Sequence, residues 1–141
     1  MSQLTCQIVR PDRLLFEGPI ASLVLVTPTG ELGVWPLHEP MICALGDGVV
    51  RIHQTEERGG QTVRVIISGG YAEITPDQVI ILADHARRSD DIEPDVVRET
   101  RALATSSRDA LPEGDARRAY YENKIAWCDL LLHQVEQQAE A

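Results

Sequence analysis

The sequence predicts an α+β protein that is mostly β: an N-terminal antiparallel β-sandwich over residues 1–86, a linker over 87–93 and a C-terminal two-helix hairpin over 94–141. Short runs rich in Val, Ile and Leu follow one another up to Asp84, with turn residues between them. A polar run then ends this pattern. Beyond Pro94, apolar residues recur at helical spacing instead.

Seven segments of the first part are predicted to be strands. They are residues 4–10, 20–27, 41–45, 49–54, 62–68, 71–75 and 78–84. Glycines and prolines between them supply the positive or fixed φ that tight turns require, so Gly69-Gly70 is predicted to be a turn between two strands. Strict alternation is lost over residues 63–67, which indicates a strand buried on both faces. Strands at this spacing favour an antiparallel sandwich or barrel.

The stretch from Gly30 to Pro40 is predicted to be a rigid, partly apolar loop that follows a strand. Pro28, Pro36 and Pro40 restrict its backbone, which lowers the entropy lost when a partner binds. The loop therefore indicates a docking surface.

The tail is predicted to form two amphipathic helices, the second N-capped by Asp115 after a break at Pro112. One face of the first helix contains Val96, Val97, Thr100, Leu103, Ala104 and Ser107. One face of the second contains Tyr120, Lys124, Trp127, Leu131 and Val135. Aromatic residues on this face could bind a partner, but their spacing favours hairpin core. Because two short helices bury little surface alone, the tail is a candidate mobile element.

Composition excludes several classes of function. The formal net charge of −9 disfavours nucleic acid and anionic lipid as partners, because Lys and Arg dominate the binding of both. Three widely spaced cysteines give neither a disulfide framework nor a zinc motif, which indicates a reducing compartment. We expect no secretion signal and no transmembrane span, since no apolar run is long enough.

No catalytic or metal-binding motif is complete. His38-Glu39 begins an HExxH pattern, but Ile42 occupies the position of the second histidine. Gly30 and Gly33 do not form GxGxxG, and no P-loop occurs. Ser68 lacks the glycine that a nucleophile elbow requires two residues before it. We therefore predict a non-catalytic chain with no metal and no catalytic cofactor.

Four motifs together resemble the epsilon subunit of F-type ATP synthases. The docking stretch is similar to that family's GELG-[IV]-aromatic-P-x-H-x-P loop, and three later segments match in the same order. These segments are Gly48–Ile52, Ile67–Ile74 and Val79–Asp84. The match covers most of residues 1–86, whereas the tail matches in layout more than in residues.

This resemblance implies a ten-stranded sandwich at the foot of a rotary motor's central stalk, packed on the gamma subunit and resting on the ring of c subunits. The docking residues it implies are Glu31, Leu32, Gly33, Trp35 and His38. The chain would transmit torque without making or breaking a bond. It would lie peripherally on the cytoplasmic side of a bacterial inner membrane.

The resemblance also implies a regulatory tail that extends towards the alpha and beta catalytic subunits, and in some members binds ATP. The family's nucleotide motif keeps only Asp95 and Arg98 here, so ATP is at most a regulatory ligand. Two alternatives stay open: an adaptor of another complex, and a cupin-like metal enzyme. The enzyme would need an HxH pair, which this chain lacks.

Overall fold

The computed structural model describes residues 3–140, with side chains described up to Gln137, so the outermost residues of the predicted sandwich and hairpin (1–2 and 141) lie outside it. The strands are β1 (Leu4–Arg10), β2 (Arg13–Thr27), β3 (Gly30–Val34), β4 (Met41–Ala44), β5 (Asp47–Gln54), β6 (Thr62–Ile74) and β7 (Gln78–Arg88). The helices are α1 (Pro94–Asp109) and α2 (Arg118–Glu140). The predicted α+β class is confirmed. The chain divides into two compact units, which meet in sequence at Asp90 and Asp91.

The strands of the first unit form one continuous ladder that closes on itself. Along it the order is β1-β7-β6-β5-β2-β3, with β4 attached to β6. The ladder closes because β1 pairs with β7 on one side and with β2 on the other. The β1–β7 pairing is parallel, from Thr5 opposite Gln78 to Val9 opposite Leu82, whereas the other pairings are antiparallel. The sequence had predicted an antiparallel sandwich, and the parallel β1–β7 pairing corrects this one detail.

The closed ladder surrounds a mainly aliphatic core. Every strand except β4 contributes buried side chains, and β4 adds the half-buried Cys43. Val65, Ile66 and Ile67 are all fully buried, which confirms the prediction of a strand covered on both faces. Burying each such side chain contributes roughly 1.5–3 kcal/mol. The largest fully buried side chains of this unit are Leu4, Ile8, Ile20, Leu23, Leu25, Val34, Ile52, Ile66, Ile67, Ile74 and Ile81.

The predicted turn at Gly69-Gly70 is wrong, because β6 continues without interruption through both residues. Both glycines have positive φ, 71° and 114°, and at this point β6 exchanges β5 for β4 as its neighbour. A Cβ at Gly70 would lie 2.1 Å from the carbonyl oxygen of Leu82. The glycines therefore allow a bend and a close approach of β7 within one strand.

Sequence reasoning also placed the start of β2 too late and missed β3. Gly18 and Pro19 look like breakers, yet Pro19 lies in β2 opposite Thr5, and the register shifts between Ile20 and Ser22. The predicted loop begins with strand β3, an edge strand paired with β2. The described residues contain seven strands rather than the ten that the resemblance implies, because β2 and β6 each serve successive neighbours along their length.

The predicted linker over 87–93 is largely regular structure. Strand β7 continues to Arg88, and a 3-10 turn spans Ser89–Asp91. The polar run looked like a linker because the last residues of β7 lie partly exposed at the edge of the core, where charged side chains are tolerated.

The second unit is a hairpin of two helices. The buried face between them differs in part from the prediction. Val97, Ala104 and Leu131 are buried as expected, but Ile125 and Cys128 complete the seam. The other predicted apolar residues of α1, Val96 and Leu103, are 50% and 64% exposed. On α2, Tyr120 and Lys124 are exposed, whereas Trp127 is half-buried.

Hydrogen bonds that involve arginines stabilise the turn of the hairpin. Arg118 Nη1 donates to the carbonyl oxygens of Arg108 and Leu111 at 2.9 and 3.0 Å, which satisfies acceptors at the C-terminal end of α1. Asp115 accepts the Arg117 backbone N–H at 2.9 Å, but α2 begins only at Arg118, so Asp115 lies in the turn before the helix and not at its predicted N-cap position. Further along, Arg101 Nε donates to Asp129 Oδ1 at 2.5 Å.

Candidate docking surface

Three of the predicted docking residues lie on the outer face of β3 and directly after it: Glu31, Gly33 and Trp35. Val34 is fully buried, so the alternation of the strand turns Glu31 and Gly33 outward. A Cβ at Gly33 would lie only 2.5 Å from Cζ3 of Trp35, which shows that the indole ring covers this glycine. Trp35 is nevertheless 60% exposed. The glycine therefore makes room for a flat, accessible aromatic surface.

An ion pair flanks this aromatic surface. Arg51 Nη1 donates to Glu31 Oε2 at 2.7 Å, reaching across β2 from β5. Both side chains remain partly exposed, so the pair adds well under about 1 kcal/mol to folding. Its main effect is to orient the Glu31 carboxylate and to offset part of its charge.

The two other predicted docking residues point elsewhere. Leu32 is half-buried against the core, and it lines a groove of about 390 Å³ between the β2–β3 turn and β4. His38 follows β3, and its Nδ1 lies 2.7 Å from the backbone carbonyl oxygen of Glu39. Since a carbonyl only accepts, Nδ1 is the donor in this contact. The five residues thus do not form one constellation.

The predicted docking set leaves out Leu37, although the sequence shows that it departs from the glycine frequent at this position of the resembling loop. Leu37 has a φ of 69° and is the one described residue other than glycine with positive φ. Its N–H donates to the carbonyl oxygen of Pro76 at 2.7 Å, and its side chain is 70% exposed. A left-handed conformation costs a branched side chain about 1–2 kcal/mol.

An exposed apolar row crosses the outer face of the other strands. Tyr71 on β6 lies opposite Leu82 on β7, which lies opposite Val9 on β1, which lies opposite Leu14 on β2. Leu14, Tyr71 and Leu82 are 48%, 63% and 54% exposed. Register places these apolar side chains side by side on one face, which makes the row a candidate surface for a protein contact.

The residues predicted for nucleotide binding pair with each other. Arg98 Nη1 donates to Asp95 Oδ1 at 3.0 Å, one turn apart at the start of α1, and the Asp95 side chain is fully exposed. In the part of the chain that the structure describes, no three His, Cys, Asp or Glu side chains group as metal ligands. Nor does any described helix have the length and apolar character needed to cross a membrane.

Comparison with known proteins agrees with the fold. The family model "ATP synthase, Delta/Epsilon chain, beta-sandwich domain" matches residues 3–89. The ATP synthase epsilon chain of Moorella thermoacetica is 39% identical over 120 residues, which cover 84% of this chain and 87% of the relative. That of Granulibacter bethesdensis is 41% identical over 87 residues, 62% of each chain.

The fold also occurs in solved structures. A chain of the Euglena gracilis mitochondrial ATP synthase (OSCP/F1/c-ring) superposes with a TM-score of 0.70 at 23% identity, covering 96% of this chain and 82% of that one. A chain of the Tetrahymena thermophila mitochondrial ATP synthase central stalk and c-ring gives 0.52 at 13% identity, covering 94% and 95%. The resemblance found in the sequence is confirmed. The chain belongs to the epsilon-chain family of ATP synthases, whose delta/epsilon β-sandwich domain it contains.

Proposed function

We propose that this chain is the non-catalytic central-stalk subunit of a rotary ATP synthase, with its sandwich docked on the gamma subunit and on the c-ring. Family membership, found over residues 3–89, is the observation that carries this proposal. The assembly would place the chain peripherally at the cytoplasmic face of a bacterial inner membrane.

The exposed surface offers two separate places for partners. We assign the apolar row of Leu14, Tyr71 and Leu82 to the gamma subunit, because a torque-bearing contact between permanent neighbours needs an apolar interface. We assign the end of the sandwich that carries Glu31 and His38 to the polar loops of the ring. There the Glu31 carboxylate, oriented by Arg51, would meet basic groups.

Native mass spectrometry tests this assignment. The chain is mixed with a cognate alpha-beta-gamma core that lacks its own epsilon subunit, and we expect the mass of one added copy. Leu82→Glu would place a charge in the apolar row and weaken binding at least about tenfold, the loss expected for an apolar contact. Ile42→Glu on β4, 74% exposed and outside the apolar row, is the matched control and should bind this ring-free core normally. Failure of the folded wild-type chain to bind would reject the rotor assignment.

We further propose that the hairpin regulates ATP hydrolysis by the assembled enzyme. The sandwich has its own core and hydrogen-bond ladder, so a chain ending at Ile92 is expected to fold and to bind the core. Hydrolysis by complexes that contain the full or the shortened chain is then compared, with native mass spectrometry confirming equal occupancy. Equal rates under all nucleotide conditions would reject the regulatory role.

A further inference from the structure

We propose that Leu37 is an apolar anchor that inserts into a pocket on the polar loops of the c-ring. The proposal rests on the assignment of this end of the sandwich to the ring, and it names the contact made there. Leu37 combines two unfavourable properties: a left-handed backbone, which the fold imposes, and a largely exposed branched side chain, which nothing within the sandwich requires.

The strained backbone is fixed by the fold. The N–H of Leu37 donates to the carbonyl oxygen of Pro76 at the β6–β7 turn, and Pro36 precedes it with a restricted φ. Any residue at this position must therefore adopt positive φ, which glycine or asparagine does with less strain than leucine. A strained residue held by its surroundings is a frequent feature of functional surfaces.

A groove of about 400 Å³ next to this turn extends the apolar surface. Its lining includes Met41 and Ile42 on β4 and Ile74 and Thr75 at the end of β6, directly before the acceptor of the Leu37 bond. Ile42 is 74% exposed, the highest value among the large apolar side chains of the described residues. A partner that receives Leu37 would also cover Ile42.

Charge defines the partner's rim. Three exposed carboxylates lie here: Glu39 is two residues after Leu37, Glu73 lines the groove, and Asp77 lies in the β6–β7 turn. The groove lining contains no basic side chain. The complementary surface is therefore an apolar depression bordered by Lys or Arg, because a basic rim pairs with these carboxylates as the apolar side chains are buried.

Two variants separate anchoring from folding. Leu37→Asn removes the apolar side chain but tolerates positive φ, so its melting temperature should be unchanged or raised by roughly 4 °C. Leu37→Met replaces leucine with an unbranched apolar side chain of similar volume and should bind as the wild type does. A fall in the melting temperature of Leu37→Asn would contradict the strain argument.

Binding is measured with two probes: cognate ATP synthase depleted of epsilon but containing the ring, and the alpha-beta-gamma core without a ring. We expect Leu37→Asn to lose at least about tenfold in affinity for the first and to bind the second normally. Wild-type affinity of Leu37→Asn for the ring-containing enzyme would overturn the anchor. An equal loss with both probes would overturn the ring as its partner. Binding of the wild type to neither probe would instead reject the rotor assignment itself.

Discussion

Gly70→Ala should destabilise the sandwich more than any other single methyl addition at a glycine. The added Cβ would lie 2.1 Å from the Leu82 carbonyl oxygen and 2.8 Å from the Cα of Ala83. Both are backbone atoms of the neighbouring strand, so no side-chain rotation can relieve the overlap. Strand β7 would have to move away from β6 where the two pair.

The magnitude has two parts. Holding alanine at a φ of 114° costs about 1–3 kcal/mol. Separating the strands leaves at least one buried ladder group unpaired, which costs a further 1–3 kcal/mol or so. The sum, on the order of 4 kcal/mol, is a large fraction of the 5–15 kcal/mol or so that stabilises a typical domain. At about 4–8 °C per kcal/mol, the melting temperature should fall by roughly 20 °C.

Thermal unfolding followed by far-UV circular dichroism measures this effect, with Gly60→Ala as the matched control. Gly60 also has positive φ, 66°, but a Cβ there would meet nothing within 4 Å. The control therefore carries only the backbone cost of about 1 kcal/mol, or roughly 4–8 °C. If the two variants melted within a few degrees of each other, the close approach of β7 would not be the reason for glycine at position 70.

Three further outcomes are expected. Arg118→Ala should speed amide hydrogen exchange in the last turn of α1, because two carbonyl acceptors lose their donor, whereas Arg117→Ala should not. Hydrogen bonds from Arg117 lower the pKa of Asp115 from 3.8 to about 2. The stabilisation that the Asp115 carboxylate gives the hairpin is therefore complete above about pH 4 and is lost as the pH falls through about 2. Asp115→Asn should abolish this pH dependence of the helicity measured by circular dichroism. Burial raises the pKa of Cys6 to about 12, so mass spectrometry after iodoacetamide treatment at pH 8 should find Cys6 unmodified and the half-exposed Cys43 labelled first.

The strands of strong apolar pattern were predictable, whereas the bends were not. Gly69-Gly70 has the composition of a turn, and only the position of Leu82 on another strand shows that the chain continues through it. Strand β3 has two glycines in five residues and one fully buried side chain, so its own pattern is weak. Pairing with β2, which depends on tertiary structure, makes it a strand.

The hairpin seam was misplaced by about one residue on α2. The predicted face was chosen to include the large aromatic residues, such as Tyr120. The structure instead buries Ile125 and Cys128, and a shift of one residue turns a helix face by about 100°. Tyr120 instead packs edge-on against Tyr121, with ring centroids 5.2 Å apart. Periodicity gives the existence of an amphipathic face more reliably than its exact direction when apolar and aromatic residues compete.

The docking residues were found by motif, but their arrangement was not. Alternation along β3 separates Glu31 and Gly33 from Leu32, a distinction that becomes available only once the segment is recognised as a strand. The apolar row of Tyr71, Leu82 and Leu14 depends on register across four strands, which no local pattern specifies.

The parallel pairing of β1 with β7 has a consequence for biosynthesis. Because Thr5 pairs with Gln78, β1 cannot form its hydrogen bonds with β7 until nearly the whole unit has been synthesised. Until then it has only its hairpin with β2, and a two-stranded hairpin is marginal in water. The sandwich is therefore completed late in synthesis, by a long-range pairing that forms only after β7 has left the ribosome.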